Sequence, residues 1–124
     1  MRYEGFDICN KNCILYTIKY IIMTSKIEFG LYGTHLGTRF LGYNIREKIL
    51  ADFDNVEKFI FNFSGVETVS KSFADECFAK LLLDKTFEEI KAKTCYEGAN
   101  PFIKAVIAGE MKERKKQQEN EKDQ

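Results

Sequence analysis

Residues 59–82 read FIFNFSGVETVSKSFADECFAKLL, and this segment carries the strongest hydrophobic pattern in the chain. Residues 59–63 are apolar apart from one asparagine. Such a short, dense run is typical of a strand buried on both faces, or of a parallel strand covered by helices. Ser64 and Gly65 interrupt the run and predict a turn. The segment therefore predicts a buried strand, a turn and a helix, with the remaining chain packed around them.

The helix in this segment is predicted to begin at Ser72, which we interpret as its N-cap, with Asp75 completing a capping-box-like pair. Asp75 and Glu76 would then lie in the first turn, where the helix dipole favours negative charge. Glu76 and Lys80 are predicted to point outward as an i,i+4 pair. The predicted buried face consists of Phe73, Ala74, Cys77, Phe78, Leu81 and Leu82.

An earlier helix is predicted over about residues 38–51, and it carries two apolar stripes. The first stripe has the i,i+4 spacing of a sheet-packing face and consists of Leu41, Ile45 and Ile49. The second lies roughly opposite and consists of Phe40, Tyr43 and Leu50. Because each apolar stripe is expected to be covered, we expect the second stripe to contact the N-terminal segment or a partner protein. Phe40 and Tyr43 are thus candidates for a second binding surface.

The flanking sequence predicts shorter elements. Strands are expected at residues 13–23, 27–29 and 90–96, the last as an edge strand with its lysines pointing outward. Residues 30–39 contain three glycines and predict a loop. Asn100 and Pro101 predict a helix start, with asparagine as the N-cap. Beyond Gly109 the apolar residues almost stop, so residues 110–124 are expected to be a charged helical or disordered tail that mainly contacts solvent.

Composition excludes several classes of function. Nineteen basic residues balance nineteen acidic ones, so no net field favours nucleic acid or an anionic membrane. The four cysteines form no CxxC pair, and His35 is the single histidine. We therefore expect reduced cysteines, with Cys77 in the core, and neither a metal site nor a cofactor. We also expect His35 to be a solvated or capping residue rather than a catalytic base.

The longest apolar run, residues 13–23, contains a lysine and is far shorter than the roughly 20 residues that a membrane-spanning helix needs. No small-residue cleavage site follows it, as a signal peptide would require. We therefore expect a cytoplasmic protein. The length of 124 residues indicates one domain with a modest core.

Two motifs resemble the bacterial STAS-like domain family of unknown function, which is related to the anti-sigma-factor-antagonist STAS domains. The first is Gly37-Thr38-Arg39 at the start of the earlier helix. The second couples FNFSGV at residues 61–66 to SKSFADE at residues 70–76. The resemblance implies an α/β, STAS-like fold: a mixed β-sheet of about four to five strands with about three α-helices packed mainly on one face. It divides the chain into an N-terminal extension with a predicted strand (1–25), a STAS-like domain (26–109) and the charged tail (110–124).

The resemblance also implies a non-enzymatic protein-interaction module that binds a regulatory partner, such as a GHKL-type ATPase or kinase, in a partner-switching pathway. In anti-sigma-factor antagonists the switch is phosphorylation of a serine at the start of the helix after the central strand. Here Lys71 stands at that position, between two serines. Because Ser72 is expected to serve as the cap, Ser70 is the candidate phosphosite. The implied partner-binding or regulatory residues are Ser70, Lys71, Ser72, Asp75 and Glu76, with Gly37, Thr38 and Arg39 as the loop and helix start.

Other interpretations remain open. A nucleotide-binding or self-associating scaffold could use the glycine loop, although its spacing matches neither GxGxxG nor GxxxxGK[ST]. A homodimer is compatible with the two-striped helix. A small carboxylate-based enzyme would use Asp75 and Glu76, but adjacent helical residues point about 100° apart and do not converge. Residues 1–22 lie outside the resemblance, and they are either an extension, whose strand could join the sheet, or untranslated in the native protein.

Overall fold

The computed structural model describes residues 23–122, and for residue 122 the backbone only. The strands in this part of the chain are β1 Thr24–Glu28, β2 His35–Leu36, β3 Lys58–Asn62, β4 Thr68–Val69 and β5 Thr94–Glu97. The α-helices are α1 Arg39–Asp52, α2 Lys71–Cys77, α3 Phe87–Lys93 and α4 Pro101–Lys122, and 3-10 helices span Phe29–Tyr32 and Ala79–Leu83. The strand predicted at residues 13–22 and most of the N-terminal extension lie outside the described residues.

The predicted α/β class is confirmed, but the strands form two small parallel sheets where one mixed sheet was expected. One sheet has the order β1-β3-β5 and the other pairs β2 with β4. Parallel neighbours need long crossover connections, and helices supply them here. The connection from β1 to β3 contains α1, and the connection from β3 to β5 contains α2 and α3.

Strand β3 is buried on one face, so the interpretation of a strand buried on both faces is wrong for the described residues. Phe59 and Phe61 are fully buried, whereas Ile60 and Asn62 are half-buried. On the second face, Asn62 donates a hydrogen bond of 2.8 Å to Glu28, and Lys26 lies 3.6 Å from the same carboxylate. The alternation follows from the two-residue period of a strand. The helices accordingly pack on the face that carries the phenylalanines.

The core is a cluster of aromatic rings between the three-stranded sheet and the helices. Phe29 stacks on Phe63 with 4.4 Å between ring centroids, and Phe78 lies 5.6 Å from Phe29. The ring centroids of Phe61 and Phe78 are 5.4 Å apart, so β3 and the end of α2 contribute to one cluster. Cys77 is fully buried beside them, as predicted.

The helix after β4 is capped two residues earlier than predicted, and its α-helical part is shorter than the predicted buried face. Ser70, not Ser72, is the N-cap, because its Oγ accepts a hydrogen bond of 2.9 Å from the Phe73 amide. The α-helical part ends at Cys77 and continues as the 3-10 helix Ala79–Leu83. Asp75 therefore lies beyond the first turn and is not a capping-box residue.

Two other element boundaries differ from the prediction. Residues 87–93 are helical, because Thr86 and Glu89 form a reciprocal capping box, so the edge strand begins only at Thr94. At the start of the described chain, β1 spans Thr24–Glu28, whereas the strand was predicted at residues 27–29. The predicted loop at residues 30–39 contains part of a 3-10 helix and the short strand β2.

Helix α4 begins as predicted, with Asn100 Oδ1 accepting from the Ile103 amide at 2.8 Å. It continues through residue 122, so the predicted domain boundary at Gly109 falls inside it. Most described residues of the predicted solvent-contacting segment are exposed, but Met111 is buried and Gln118 donates a hydrogen bond of 3.0 Å to the Leu82 carbonyl. No helix within residues 23–122 is long and apolar enough to cross a membrane.

Candidate interaction surface

Helices α1 and α2 approach each other closely at Gly42. A Cβ atom at this position would lie 3.0 Å from the Phe73 carbonyl oxygen and 3.2 Å from the Cys77 amide nitrogen. Only a residue without a side chain fits this spacing without displacing backbone atoms. Arg39 and Arg46 lie three residues before and four residues after Gly42, and thus on the same face of α1. The close approach therefore brings both guanidinium groups to α2.

Glu76 is the centre of an ion-pair network on that face. Its carboxylate accepts hydrogen bonds from Arg39 at 3.2 Å, Arg46 at 3.1 Å and Lys80 at 2.9 Å. The side chain is only 9% exposed, so the prediction that Glu76 points outward is wrong, although its predicted i,i+4 pair with Lys80 is present. The physical reason is that α1 packs over the side of α2 that carries Glu76, where Gly42 lets the two helices approach closely.

Asp75 extends the network to α4. It accepts from Arg39 at 3.0 Å and from Arg114 at 2.9 Å, so one carboxylate joins three helices. Asp75 and Glu76 both bind Arg39, but Asp75 also binds Arg114 of α4, whereas Glu76 also binds Arg46 of α1. We refer to Arg39, Arg46, Asp75, Glu76, Lys80 and Arg114 together as the α2 ion network.

The network keeps both carboxylates ionised. Burial raises the pKa of Asp75, but hydrogen bonds and charge from Arg114 and Arg39 outweigh that effect and leave the pKa below its ordinary value. Burial also raises the pKa of Glu76, and Lys80 and Arg39 reverse that shift in the same way. Carboxylates held by cations at low pKa are poor proton donors near neutral pH. This arrangement favours a structural role over the enzyme interpretation.

The N-cap role expected of Ser72 belongs to Ser70. Ser70 Oγ caps α2 and also donates a hydrogen bond of 2.9 Å to the Gly37 carbonyl, which ties the start of α2 to the start of α1. The Ser72 side chain is half-buried and makes no hydrogen bond with any residue in the described range. Lys71 is exposed, and the Asp75 carboxylate one turn further along the helix is bonded to Arg39 and Arg114.

The residues Gly37, Thr38 and Arg39 lie where α1 begins, and each makes a different contact there. Thr38 Oγ1 accepts from the Leu41 amide at 3.2 Å and caps α1. Arg39 belongs to the α2 ion network, although half of its side chain remains exposed. Gly37 contributes its carbonyl to the Ser70 hydroxyl.

Phe40 and Tyr43 are exposed on α1, with 76% and 46% of their surface accessible. The Arg46 guanidinium lies 5.4 Å from the Tyr43 ring centroid, so the exposed aromatic pair adjoins the α2 ion network. Leu50 instead packs against the core, and its assignment to the second stripe is wrong. We call Phe40 and Tyr43, with the exposed part of Arg39, the α1 surface.

Sequence reasoning missed Arg46 and Arg114 as members of this site. The spacing Arg39, Gly42, Arg46 is a detectable signal, since a glycine between two arginines on one helix face permits a close helix contact. Arg114 has no comparable signal, because its partner Asp75 is 39 residues away in sequence. His35 is solvated as expected, with 64% of its side chain exposed, and its Nδ1 lies 2.7 Å from the Thr68 hydroxyl oxygen.

Comparison with known proteins identifies one match. A family model described as a STAS-like domain of unknown function (DUF4325) matches residues 42–104, slightly more than half of the chain. The matched range runs from the close helix contact at Gly42 to the first turn of α4. No curated protein and no solved structure matches.

Proposed function

Since this chain belongs to the STAS-like domain family of unknown function, we propose that it is a protein-interaction module whose partner binds the α1 surface. The observation that carries this proposal is the exposure of Phe40, at 76%, on a helix whose opposite face is committed to the core. Large aromatic residues are over-represented among the residues that dominate binding energy at protein interfaces. An exposed phenylalanine and tyrosine on one helix therefore form a plausible centre for an interface.

The α2 ion network supports the proposal by making the α1 surface rigid. Arg39 contacts both Asp75 and Glu76, and Arg46 is held by Glu76 while its guanidinium faces the Tyr43 ring. A surface that is ordered before binding loses less conformational entropy when the partner arrives. The Ser70 hydrogen bond to Gly37 adds a second link between the starts of α1 and α2.

We propose a GHKL-type ATPase or kinase as the partner, acting in a partner-switching pathway. The support is the resemblance of residues 61–66 and 70–76 to anti-sigma-factor-antagonist domains, which bind such enzymes. Arg39 near the start of α1 and Lys71 at the start of α2 are exposed cations that would complement an acidic patch on the partner. Self-association through the same two aromatic residues is the competing outcome.

The double substitution Phe40→Ala, Tyr43→Ala is expected to weaken partner binding by about 100-fold, because two anchors worth about 1–2 kcal/mol each would be lost. The measurement is the Kd for a GHKL-type ATPase from the native host, by biolayer interferometry. Phe102→Ala is the matched control, since Phe102 is also the second residue of a helix and is 54% exposed. Equal effects of both variants, or binding only between copies of this chain, would contradict the proposal.

Regulation by such a kinase is expected at Ser72 rather than Ser70. The Ser70 hydroxyl is engaged by Gly37 and Phe73, whereas Ser72 has no hydrogen bond to another described residue. Incubation with the purified kinase and ATP, followed by mass-spectrometric mapping, should find phosphate on Ser72. Ser72→Ala should abolish the modification and Ser70→Ala should retain it. Phosphate on Ser70, or none at either serine, would contradict this regulation while leaving partner binding to the preceding experiment.

A further inference from the structure

An apolar groove lies on a different part of the molecule, between α3, β5 and α4. Its volume is about 630 Å³, and its floor is formed by side chains that include Ile90, Tyr96, Ile107 and Met111. This volume falls within the range of about 300–1,000 Å³ that is typical of binding sites. The groove is separate from the α1 surface, and none of its lining residues belongs to the α2 ion network.

The rim of the groove is basic throughout. Lys91 from α3 and Lys104, Lys112 and Lys115 from α4 line it, and none of the aspartates or glutamates within residues 23–121 does. The four lysines concentrate positive charge around the groove, although the whole chain has no net charge. The acidic residues of α4 that neighbour these lysines in sequence, Glu110 and Glu113, point elsewhere and do not line the groove.

The distribution of the lysines distinguishes between classes of occupant. Lys104 and Lys115 are eleven positions apart on one helix, which places their backbones about 16 Å apart along the groove. An acyl chain would carry its negative charge at one end and would match one of these lysines. An acidic amphipathic helix has apolar side chains along one face and carboxylates along both margins, so it matches an apolar floor with cations spread along the rim.

From this arrangement we propose that the groove binds an acidic amphipathic helix of a partner protein. About three turns of such a helix span the distance between Lys104 and Lys115. Its apolar residues at i, i+3, i+4 and i+7 would cover the floor, and its carboxylates would pair with the rim lysines. The chain's own residues 1–22 are a poor match, because they hold three basic and two acidic side chains.

The test uses the full-length chain and a fluorescein-labelled synthetic peptide of about four helical turns, with leucines on one face and glutamates on the others. Fluorescence anisotropy should show micromolar binding that weakens with added salt. A peptide with the same composition in shuffled order, and one with lysine in place of every glutamate, should bind at least about tenfold more weakly.

Matched substitutions locate the binding. Ala108 is an exposed residue in the groove lining, so Ala108→Glu adds a carboxylate without removing core atoms. It should weaken peptide binding by about tenfold or more through like-charge repulsion and desolvation. Ala108→Gln has the same shape without charge and should have a smaller effect. Gln117→Glu adds the same charge about two and a half turns further along α4, on the opposite face of the helix from Ala108, and should change the Kd by less than about twofold.

A second variant protects the test against misfolding. Lys112 is exposed, so Lys112→Glu should leave the circular dichroism spectrum unchanged. It should weaken binding of the peptide by about tenfold. Absence of peptide binding, equal binding of the shuffled peptide, or equal effects of Ala108→Glu and Gln117→Glu would each overturn the proposal. Binding of laurate in the groove without binding of the peptide would also overturn it, and would assign the groove to an acyl ligand instead.

Discussion

Replacing Glu76 with glutamine is expected to lower the free energy of unfolding by about 3–5 kcal/mol. Glutamine has nearly the shape of glutamate, so the change removes a charge without opening a cavity. The main cost comes from Arg46, whose side chain is about as buried as that of Glu76 and whose bond to the carboxylate is 3.1 Å long. Breaking a buried pair leaves an uncompensated charge in a poorly solvated site, and this cost is among the largest that single substitutions show.

The measurement is urea unfolding followed by circular dichroism, with Glu47→Gln as the control. Glu47 lies on the exposed part of α1, and no ion pair joins it to another described residue, so its removal should change stability by less than about 0.5 kcal/mol. A Glu76→Gln variant as stable as Glu47→Gln would mean that the α2 ion network does not contribute to stability.

The same variant should change the response to acid. The folded-state pKa values of Asp75 and Glu76 lie below their ordinary values, so their stabilisation is present above the ordinary carboxyl pKa of about 4. It is lost as the pH falls through the lower folded-state values. The wild type should therefore lose stability steeply below about pH 4, and Glu76→Gln should show a shallower decline over that range.

Phe78→Ala is expected to cost about 3–5 kcal/mol, the usual range for removing a buried phenylalanine. The Phe78 ring has no exposed surface and lies at the junction between α2 and the following 3-10 helix. Its ring centroid lies 5.6 Å from that of Phe29 and 5.4 Å from that of Phe61. The ring also contacts Phe63, Phe73 and Tyr96. Removing it leaves a cavity and takes away several ring–ring contacts at once.

Two controls separate the cavity from the loss of an aromatic ring in general. Phe78→Leu keeps most of the volume and should cost clearly less than the alanine substitution. Phe102→Ala removes a ring that is half exposed and should change stability only slightly. Thermal and urea unfolding of the three variants supply the comparison. If Phe78→Ala and Phe102→Ala have the same effect, the aromatic cluster is not the main source of stability.

Together these two predictions describe a domain in which the core and the α2 ion network have different tasks. The aromatic cluster holds the sheet and the helices together through burial of apolar surface. The network sets how α1, α2 and α4 lie against one another, and it positions the residues of the α1 surface. A variant that breaks the network but remains folded should therefore weaken partner binding without touching Phe40 or Tyr43.

Local pattern and residue type were sufficient for several features. The buried strand at residues 58–62, the start of α1 at Thr38 and the start of α4 at Asn100 agree with the prediction, because strand patterning and helix caps act over a few neighbouring residues. The α/β class and the STAS-like family followed from the FNFSGV and SKSFADE motifs. The exposure of Phe40 and Tyr43 followed from the two-striped pattern of α1.

Other features depended on contacts between distant parts of the chain. Ser70 and not Ser72 caps α2, because the Gly37 carbonyl holds the Ser70 hydroxyl from 33 residues away. Glu76 is buried because Gly42 lets α1 cover it, and Asp75 is engaged because α4 extends far enough to bring Arg114 to it. The sequence by itself determined the fold class, the starts of α1 and α4 and the aromatic pair on α1. The tertiary structure alone decided which charged residues are buried and which serine stays free, because those depend on how the helices pack and not on local pattern.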